Sequence, residues 1–221
     1  MHELPLIPQD RPIRLAVLIS GGGTTVRNLA DRIAQGSLNA QITAVICSNP
    51  KAQKLAQAKL PELQVGLVNR KAYASEAGFD IKGFSDVVFS LIREARADLV
   101  CLAGFLSQLQ IPDDYAWRII NIHPALLPAF GGKGMHGRHV HQAVLQSGEK
   151  ISGCTVHFAD QTYDTGPILI QRTCPVLADD TPDTLAKRVF EQECLAYPEA
   201  IQAIAQGRVT INGRLATIDT P

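Results

Sequence analysis

An unbroken apolar run, Leu15-Ala16-Val17-Leu18-Ile19-Ser20, passes straight into Gly21-Gly22-Gly23-Thr24-Thr25 and then into apolar residues at helical spacing, Val26, Leu29, Ala30 and Ile33. Few folds accept that order. A strand without polar alternation is covered on both faces, as parallel strands are, and parallel strands need a crossover connection between them. The pattern recurs. Ile42 to Ser48 reads as a strand, Ala52 to Leu60 as a helix, and Val65 to Val68 as a short strand. Lys82 to Arg96 reads as an amphipathic helix with Phe84, Val87, Val88, Leu91 and Ile92 apolar, and Asp98 to Gly104 as another buried strand. Alternation of this kind predicts an α/β fold, a Rossmann-like and mostly parallel sheet flanked by helices. The chain has 221 residues, 46% of them hydrophobic, enough to cover one such domain, expected over residues 14–207. Residues 1–13, with Pro5, Pro8 and Pro12 and no periodicity, read as a flexible arm.

The glycine run between strand and helix has the makings of an anion site. Glycines let a ligand approach the backbone, the first N–H groups of the helix have no partner within it, and Thr24 or Thr25 can cap the helix or offer a hydroxyl. Two familiar nucleotide loops do not fit. A Walker loop needs G-K-[ST], and G-x-G-x-x-G needs glycine where Val26 stands. The strand from Ile42 ends in Ser48-Asn49-Pro50 rather than in the acidic residue that holds an NAD ribose. A plain strand-to-helix turn is the other reading.

A second stretch carries chemistry of its own, Ile119-Ile120-Asn121-Ile122-His123-Pro124-Ala125-Leu126-Leu127-Pro128. It is a strand that stops at proline. Asn121 and His123, two apart, point from one face and sit about 7 Å apart along it. Polar groups at the C-terminal end of a strand lie where open α/β sheets place their ligands. A hydrogen-bonded core histidine beside a turn asparagine is the alternative.

The rest of the chain is read more briefly. Phe105 to Leu109 follows a strand and is either the wall of a ligand site or ordinary core. Ala129 to Arg138 is too glycine-rich for regular structure, and His139 to Ser147 is helical. His136, His139 and His141 do not read as a metal site, because no acidic or cysteine ligand lies close by and residues two apart on a helix do not share a face. Ile151 to Phe158 and Gly166 to Val176 are expected to pair as a C-terminal antiparallel strand pair, with a polar loop, residues 159–165, between them. Thr181 as N-cap and Pro182 open a helix to about Gln206, and residues 208–221 form a tail with a short hairpin around Asn212-Gly213.

Lysines plus arginines and aspartates plus glutamates are 21 each, which argues against a sequence-independent grip on nucleic acid. Five scattered cysteines without a C-x-x-C pair read as reduced thiols of a cytoplasmic protein. No run is long and apolar enough to span a membrane, and no signal peptide is apparent.

Three segments together resemble the folate-dependent formyltransferases: Asn121 to Pro128, Gly153-Cys154-Thr155-Val156-His157-Phe158, and Asp164-Thr165-Gly166-Pro167-Ile168-Leu169-Ile170-Gln171. The resemblance runs from about Arg14 to Gly207 and is closest to the branch that formylates a ribonucleotide amine in purine synthesis. It implies a formyl transfer from 10-formyltetrahydrofolate, the formyl-donor co-substrate, to phosphoribosylglycinamide, with no metal. By motif, Asn121, His123 and Asp164 match the catalytic residues. Gly23, Thr24 and Thr25 match the ribonucleotide phosphate loop, and Glu193 a residue near the acceptor amine. Lys82, Leu106, Ser107, Gln108, Leu109, Asn121 and Tyr163 fall on the folate site, Lys82 as the weakest match. The implied partners are small molecules, with neither nucleic acid nor membrane, and nothing in the chain fixes an oligomeric state.

The chain departs from the family at two places. The usual phosphate loop resembles G-S-N, so Thr24-Thr25 keeps a hydroxyl and loses an amide. The loop Gly131 to Gly137 is longer than in the shortest members, and contacts there do not transfer. His157 matches a family histidine that is either buried structure or a support for Asp164. The chemistry agrees with the residue types, because an amine attacking a formyl carbon builds an oxyanion that an Asn amide and an imidazolium can stabilise. A carboxylate that holds and charges the histidine completes proton exchange between attacking and leaving nitrogens. Three alternatives are weaker. A hydrolase that passes the formyl group to water carries an extra N-terminal domain in this family, whereas 13 residues precede the first strand here. A tRNA-formylating enzyme carries a C-terminal nucleic-acid-binding domain and more positive charge. A non-catalytic folate binder has no use for an intact Asn-His-Asp set.

Overall fold

The computed structural model describes residues 10–76 and 78–219, so most of the arm expected over 1–13 lies outside the described residues. The described chain falls into two compact units that part between Ile119 and Ile120.

The N-terminal unit contains β1 (Ile13–Ile19), α1 (Thr24–Ala34), β2 (Ala40–Cys47), α2 (Pro50–Lys59), β3 (Val65–Leu67), the two-residue strands β4 (Ala74–Ser75) and β5 (Gly78–Phe79), α3 (Ile81–Glu94) and β6 (Leu99–Leu102). Its sheet runs β6-β1-β2-β3, and the pairs β1 with β2, β1 with β6 and β2 with β3 are all parallel. Leu15 to Ile19 are fully buried, as a strand sandwiched between helices must be. Each helix begins where its sequence allows. Asn49 Oδ1 accepts from the backbone N–H groups of Lys51 at 2.9 Å and Ala52 at 3.4 Å ahead of Pro50, so the residue that an NAD site would want acidic serves as an N-cap. Asp80 Oδ1 accepts from Gly83 N to start α3, whose Phe84, Val88, Phe89 and Ile92 are buried on one stripe. Of the expected arm, Arg11 is described. It makes a bidentate pair with Asp98, at 2.6 and 2.9 Å, and ties the chain to the start of β6.

The C-terminal unit holds β7 (Ile119–His123), α4 (Arg138–Ser147), β8 (Ile151–Phe158), β9 (Ile168–Pro175), α5 (Pro182–Ala205), β10 (Val209–Asn212) and β11 (Leu215–Ile218), with Ile119 itself on the other side of the division. Its strand order is β7-β8-β9-β11-β10, antiparallel from β7 to β9 and again between β10 and β11. The α/β class holds, with parallel pairing in one unit and antiparallel C-terminal strands in the other. α5 opens on a capping box between Thr181 and Thr184 and runs through Pro198, where a helix would ordinarily break. Burial overrides the missing N–H: Ala196, Tyr197, Ala200 and Ile201 around it are wholly inaccessible.

Tyr197 is also the hydrogen-bonded link between α5 and β7, because its Oη donates to Ile120 O at 3.1 Å in a buried setting. Tyr197→Phe should lower the unfolding free energy by about 1–2 kcal/mol, since a buried carbonyl loses its donor. Urea titration should show a lower midpoint at unchanged slope. An unchanged midpoint would mean that Ile120 is satisfied without the tyrosine.

Candidate active site

The antiparallel register of β7 and β8 sets the site. Asn121 stands opposite His157, and His123 opposite Thr155, so four polar side chains share one face of two neighbouring strands. The turn that follows His123 is fastened from below. Thr155 Oγ1 donates to Ala125 O at 2.7 Å and accepts from Leu127 N at 3.0 Å, while Gln171 Nε2 on β9 donates to Leu127 O and to Thr155 Oγ1, both at 3.0 Å. Thr155 and Gln171 lie in the segments that carry the resemblance, yet the sequence alone assigns them no role. Their signal is the two-residue alternation back along the strands, which means something only once the register is known.

Asp164 comes back over this face from the polar loop, with its side chain only 9% exposed. Its Oδ2 accepts from Gly132 N at 2.9 Å and lies 3.6 Å from His123 Nδ1. Its Oδ1 accepts from Asn121 Nδ2 at 3.4 Å and lies 3.5 Å from His157 Nε2. The backbone is bent to allow this. Asp164 has φ 57° and Phe130 φ 55°, left-handed values that carry strain in side chains of this kind. Gly131 is small for a reason, since a Cβ there would collide with Leu127 and reach 3.3 Å from Asp164 Cβ. The strained Phe130 aims its carbonyl at His123, whose Nε2–H donates to it at 2.8 Å.

That bond decides the state of His123. A carbonyl only accepts, so the proton of the neutral ring sits on Nε2, and Nδ1, facing Asp164, has the lone pair. Burial pushes the pKa of His123 down, the charge of Asp164 and the Phe130 carbonyl push it up, His157 adds a small downward push, and the net direction is down. Sequence reasoning expected an imidazolium; at 3% exposure, desolvation outweighs the carboxylate. Asp164 goes the other way. Burial raises its pKa, but the polar groups that meet its oxygens, the Gly132 N–H among them, together draw it below the ordinary carboxylate value. A neutral imidazole thus faces a carboxylate held ionised.

Glu193 lies half-buried on α5, with Cys154 of β8 near enough for its charge to be felt there. Burial alone pushes its pKa up to about 7. His141 is buried with Nδ1 unpartnered among the described residues, and His136 and His139 meet edge to face at 6.0 Å. Among the described residues no three His, Cys, Asp or Glu side chains group as a metal site would need.

In the N-terminal unit, α1 differs from α2, α3 and α5 in having no side-chain cap. Gly23, at φ 75°, occupies the N-cap position, and the first N–H groups of Thr24 and Thr25 are left open to a ligand. Lys59, at the end of α2, places its Nζ 3.3 Å from where a Cβ of Gly22 would stand. Nothing in the sequence marks this lysine. The tips of the strands are joined by polar contacts: Ser20 Oγ meets Ser48 Oγ at 2.7 Å and accepts from Leu106 N at 2.9 Å. Beyond Gly104 the side chains alternate, with Phe105, Ser107 and Leu109 buried and Leu106 and Gln108 exposed. Ser107 Oγ is buried without a partner among the described residues. Lys82, at 71% side-chain exposure, is paired with Asp86 at 2.6 Å, and Tyr163 is half-buried on the polar loop. Asn121, His123 and Asp164 are thus brought together with His157. Glu193 stands on the helix behind β8, and the glycine loop, residues 106–109 and Lys82 belong to the other unit.

Comparison with known proteins adds four matches. The formyl transferase family model matches residues 13–201. A chloroplastic phosphoribosylglycinamide formyltransferase of Vigna unguiculata is 39% identical over 94% of this chain, which spans 66% of that relative's length. The crystal structure of glycinamide ribonucleotide transformylase 1 from Symbiobacterium toebii superposes with a TM-score of 0.81 at 36% identity, covering 94% of each chain. A formyltetrahydrofolate deformylase from Pseudomonas syringae pv. tomato has a TM-score of 0.80 at 21% identity, over 95% of this chain and 67% of that one, a likeness of fold alone.

The raised pKa of Glu193 has a stability consequence whose sign follows from linkage. A carboxyl that titrates near 4.5 unfolded and about 7 folded contributes stability that is present below pH 4.5 and lost as pH rises through 7. Glu193→Gln removes this dependence. Between pH 5 and 8 the unaltered protein should lose on the order of 2 kcal/mol relative to the Gln variant, measured by urea unfolding at a series of pH values. Parallel pH curves for the two proteins would show that the carboxyl titrates normally.

Proposed function

The chain belongs to the formyl transferase family, and on that premise we propose that it transfers the formyl group of 10-formyltetrahydrofolate to the amine of phosphoribosylglycinamide, a step of purine synthesis. The relatives at 36–39% identity bear the names of that activity. The observation that carries the reading is the pair Asn121 and His123 on one face of β7 with the Asp164 carboxylate over it, within 3.4 Å of the first and 3.6 Å of the second. In this reading the attacking nitrogen adds to the formyl carbon and the carbonyl electrons move to oxygen, where an Asn121 N–H stabilises the oxyanion. Neutral His123 takes up the proton that the attacking nitrogen releases, directly or through water, and Asp164 stabilises the imidazolium at Nδ1. The proton then passes to the leaving nitrogen of the folate, and the histidine returns to neutral.

Glu193, whose carboxyl titrates near neutrality, would accept from the acceptor amine or ribose. Gly23, Thr24 and Thr25 would receive the phosphate through the uncapped start of α1, with Lys59 supplying the charge that Thr25 cannot. Leu106 to Leu109, Tyr163 and, more weakly, Lys82 are the residues that the resemblance assigns to the folate. The five cysteines, none of them in a disulfide, fit a cytoplasmic enzyme.

The test is turnover of 10-formyltetrahydrofolate with and without phosphoribosylglycinamide. Folate product should form only when the ribonucleotide is present. Equal turnover in its absence would make the protein a hydrolase of the same formyl donor. The phosphate assignment has its own test. Lys59→Ala should raise KM for the ribonucleotide about 3–10-fold at low salt, with kcat and KM for the folate unchanged, and the effect should shrink as salt rises because the ammonium is exposed. A change confined to folate KM would assign the loop to the other substrate.

A further inference from the structure

We propose that His157 is a positioning residue that decides which end of the Asn121 amide is presented to the reacting carbonyl. The inference rests on the formyl-transfer reading for what that carbonyl is, and on geometry for the rest. His157 is 2% exposed, and its Nδ1 lies 2.9 Å from Phe158 O. A carbonyl oxygen only accepts, so Nδ1 bears the hydrogen and Nε2 of the neutral ring presents a lone pair. That lone pair is 3.0 Å from Asn121 Nδ2. It requires a donor, which is the nitrogen end of the amide and not the oxygen. Asp164 Oδ1, 3.4 Å from the same nitrogen, asks for the same orientation. A reversed amide would set its oxygen against a lone pair and a carboxylate at once, which low-dielectric surroundings make costly.

The arrangement could have exhausted Asn121 as a donor, and the distances show that it does not. Nδ2 of Asn121, Nε2 of His157 and Oδ1 of Asp164 form a triangle with sides of 3.0, 3.4 and 3.5 Å. Seen from Nδ2, the two acceptors are therefore about 65° apart, whereas the two hydrogens of a planar amide diverge by about 120°. One hydrogen lies between both acceptors, and the other points away from them. That second N–H is the one available to an oxyanion. His157, with the shorter of the two contacts, holds the amide in the orientation in which a donor rather than an acceptor is offered.

The experiment pairs two substitutions that divide the imidazole. Asn at position 157 keeps a donor near Nδ1 for the Phe158 carbonyl and removes the acceptor at Nε2, whereas Gln places a carbonyl oxygen near Nε2. His157→Asn should lower kcat for formyl transfer 10–100-fold with both KM values within about threefold, the mark of an interaction used in the transition state. His157→Gln should recover activity to within about fivefold of the unaltered protein. In an Asn121→Ala background His157→Asn should cost no more than a further twofold, because nothing is left to position. Undiminished kcat in His157→Asn, equal damage from Gln, or the same loss on both backgrounds would overturn the proposal. A direct measurement on the unaltered protein separates this from the reaction itself: a scalar coupling in NMR across the N–H···N bond from Asn121 Nδ2 to His157 Nε2. Its presence supports the orientation even if no formyl transfer is found, and its absence overturns the orientation even if transfer proceeds.

Discussion

The C-terminal unit is arranged around one buried negative charge. An ionised carboxylate at 9% exposure is tolerated only when its oxygens are met by donors or positive charge, and each donor that meets Asp164 imposes a requirement elsewhere. Gly132 N must point inward, which puts Phe130 in a left-handed backbone and leaves no room for a side chain at Gly131. Asp164 itself must turn over at positive φ, and the chain leaves it at once through Gly166, where a Cβ would strike the Phe158 carbonyl. Asn121 must face inward, which fixes the register of β7 on β8. Among the described residues of this unit, the two non-glycine residues at positive φ, Phe130 and Asp164, both lie in the segments that deliver the carboxylate and its donors, which is where strain accumulates in sites built for a reaction.

A different constraint shapes the N-terminal unit. Parallel strands end side by side, and each ends with backbone groups that the sheet no longer satisfies. Here the tips of β1, β2 and β6 are closed by hydroxyls and short backbone bonds: Ser20 N donates to Gly104 O, Ser48 N to Ile19 O, and Ser20 Oγ takes Leu106 N. Two of the three helices that follow are capped by Asn49 and Asp80. The exception, α1, follows the strand buried most completely, and no side chain caps its start.

What was legible beforehand follows the range of the physics. The strand and helix order of the N-terminal unit is written in local periodicity and was read within a few residues, apart from β4 and β5, which are two residues long and largely exposed. Asn121 and His123 were legible because polar residues at the end of a buried strand need a reason. Asp164 was found only through resemblance, since nothing local distinguishes it from Asp160 four residues earlier. Thr155 and Gln171 needed strand register, the Phe130 carbonyl needed a backbone angle, and Lys59 needed the packing of α2 against the glycine loop. α5 runs through Pro198, where propensity alone would end it, because the residues around the proline are held in the core.

The charge state of the pair is where sequence reasoning and structure part most usefully. A carboxylate beside a histidine suggests an imidazolium, and in water it would form. At 3% exposure the ring stays neutral and the carboxylate stays charged. Two isolated groups could not keep that arrangement cheaply, because the carboxylate would draw a proton onto the ring. The Phe130 carbonyl resolves it by claiming the one proton of the neutral ring on Nε2, so that Nδ1 faces Asp164 with its lone pair and the two stand 3.6 Å apart, beyond a hydrogen bond. The pair is then set to receive a proton, not to give one. A positive charge created on His123 by an attacking amine would close on a carboxylate already in place, with no dipole left to reorganise. The energy set aside in the strained Phe130 and Asp164 backbones thus maintains an unfilled position for one proton, which is what amine attack on a carbonyl needs from its base.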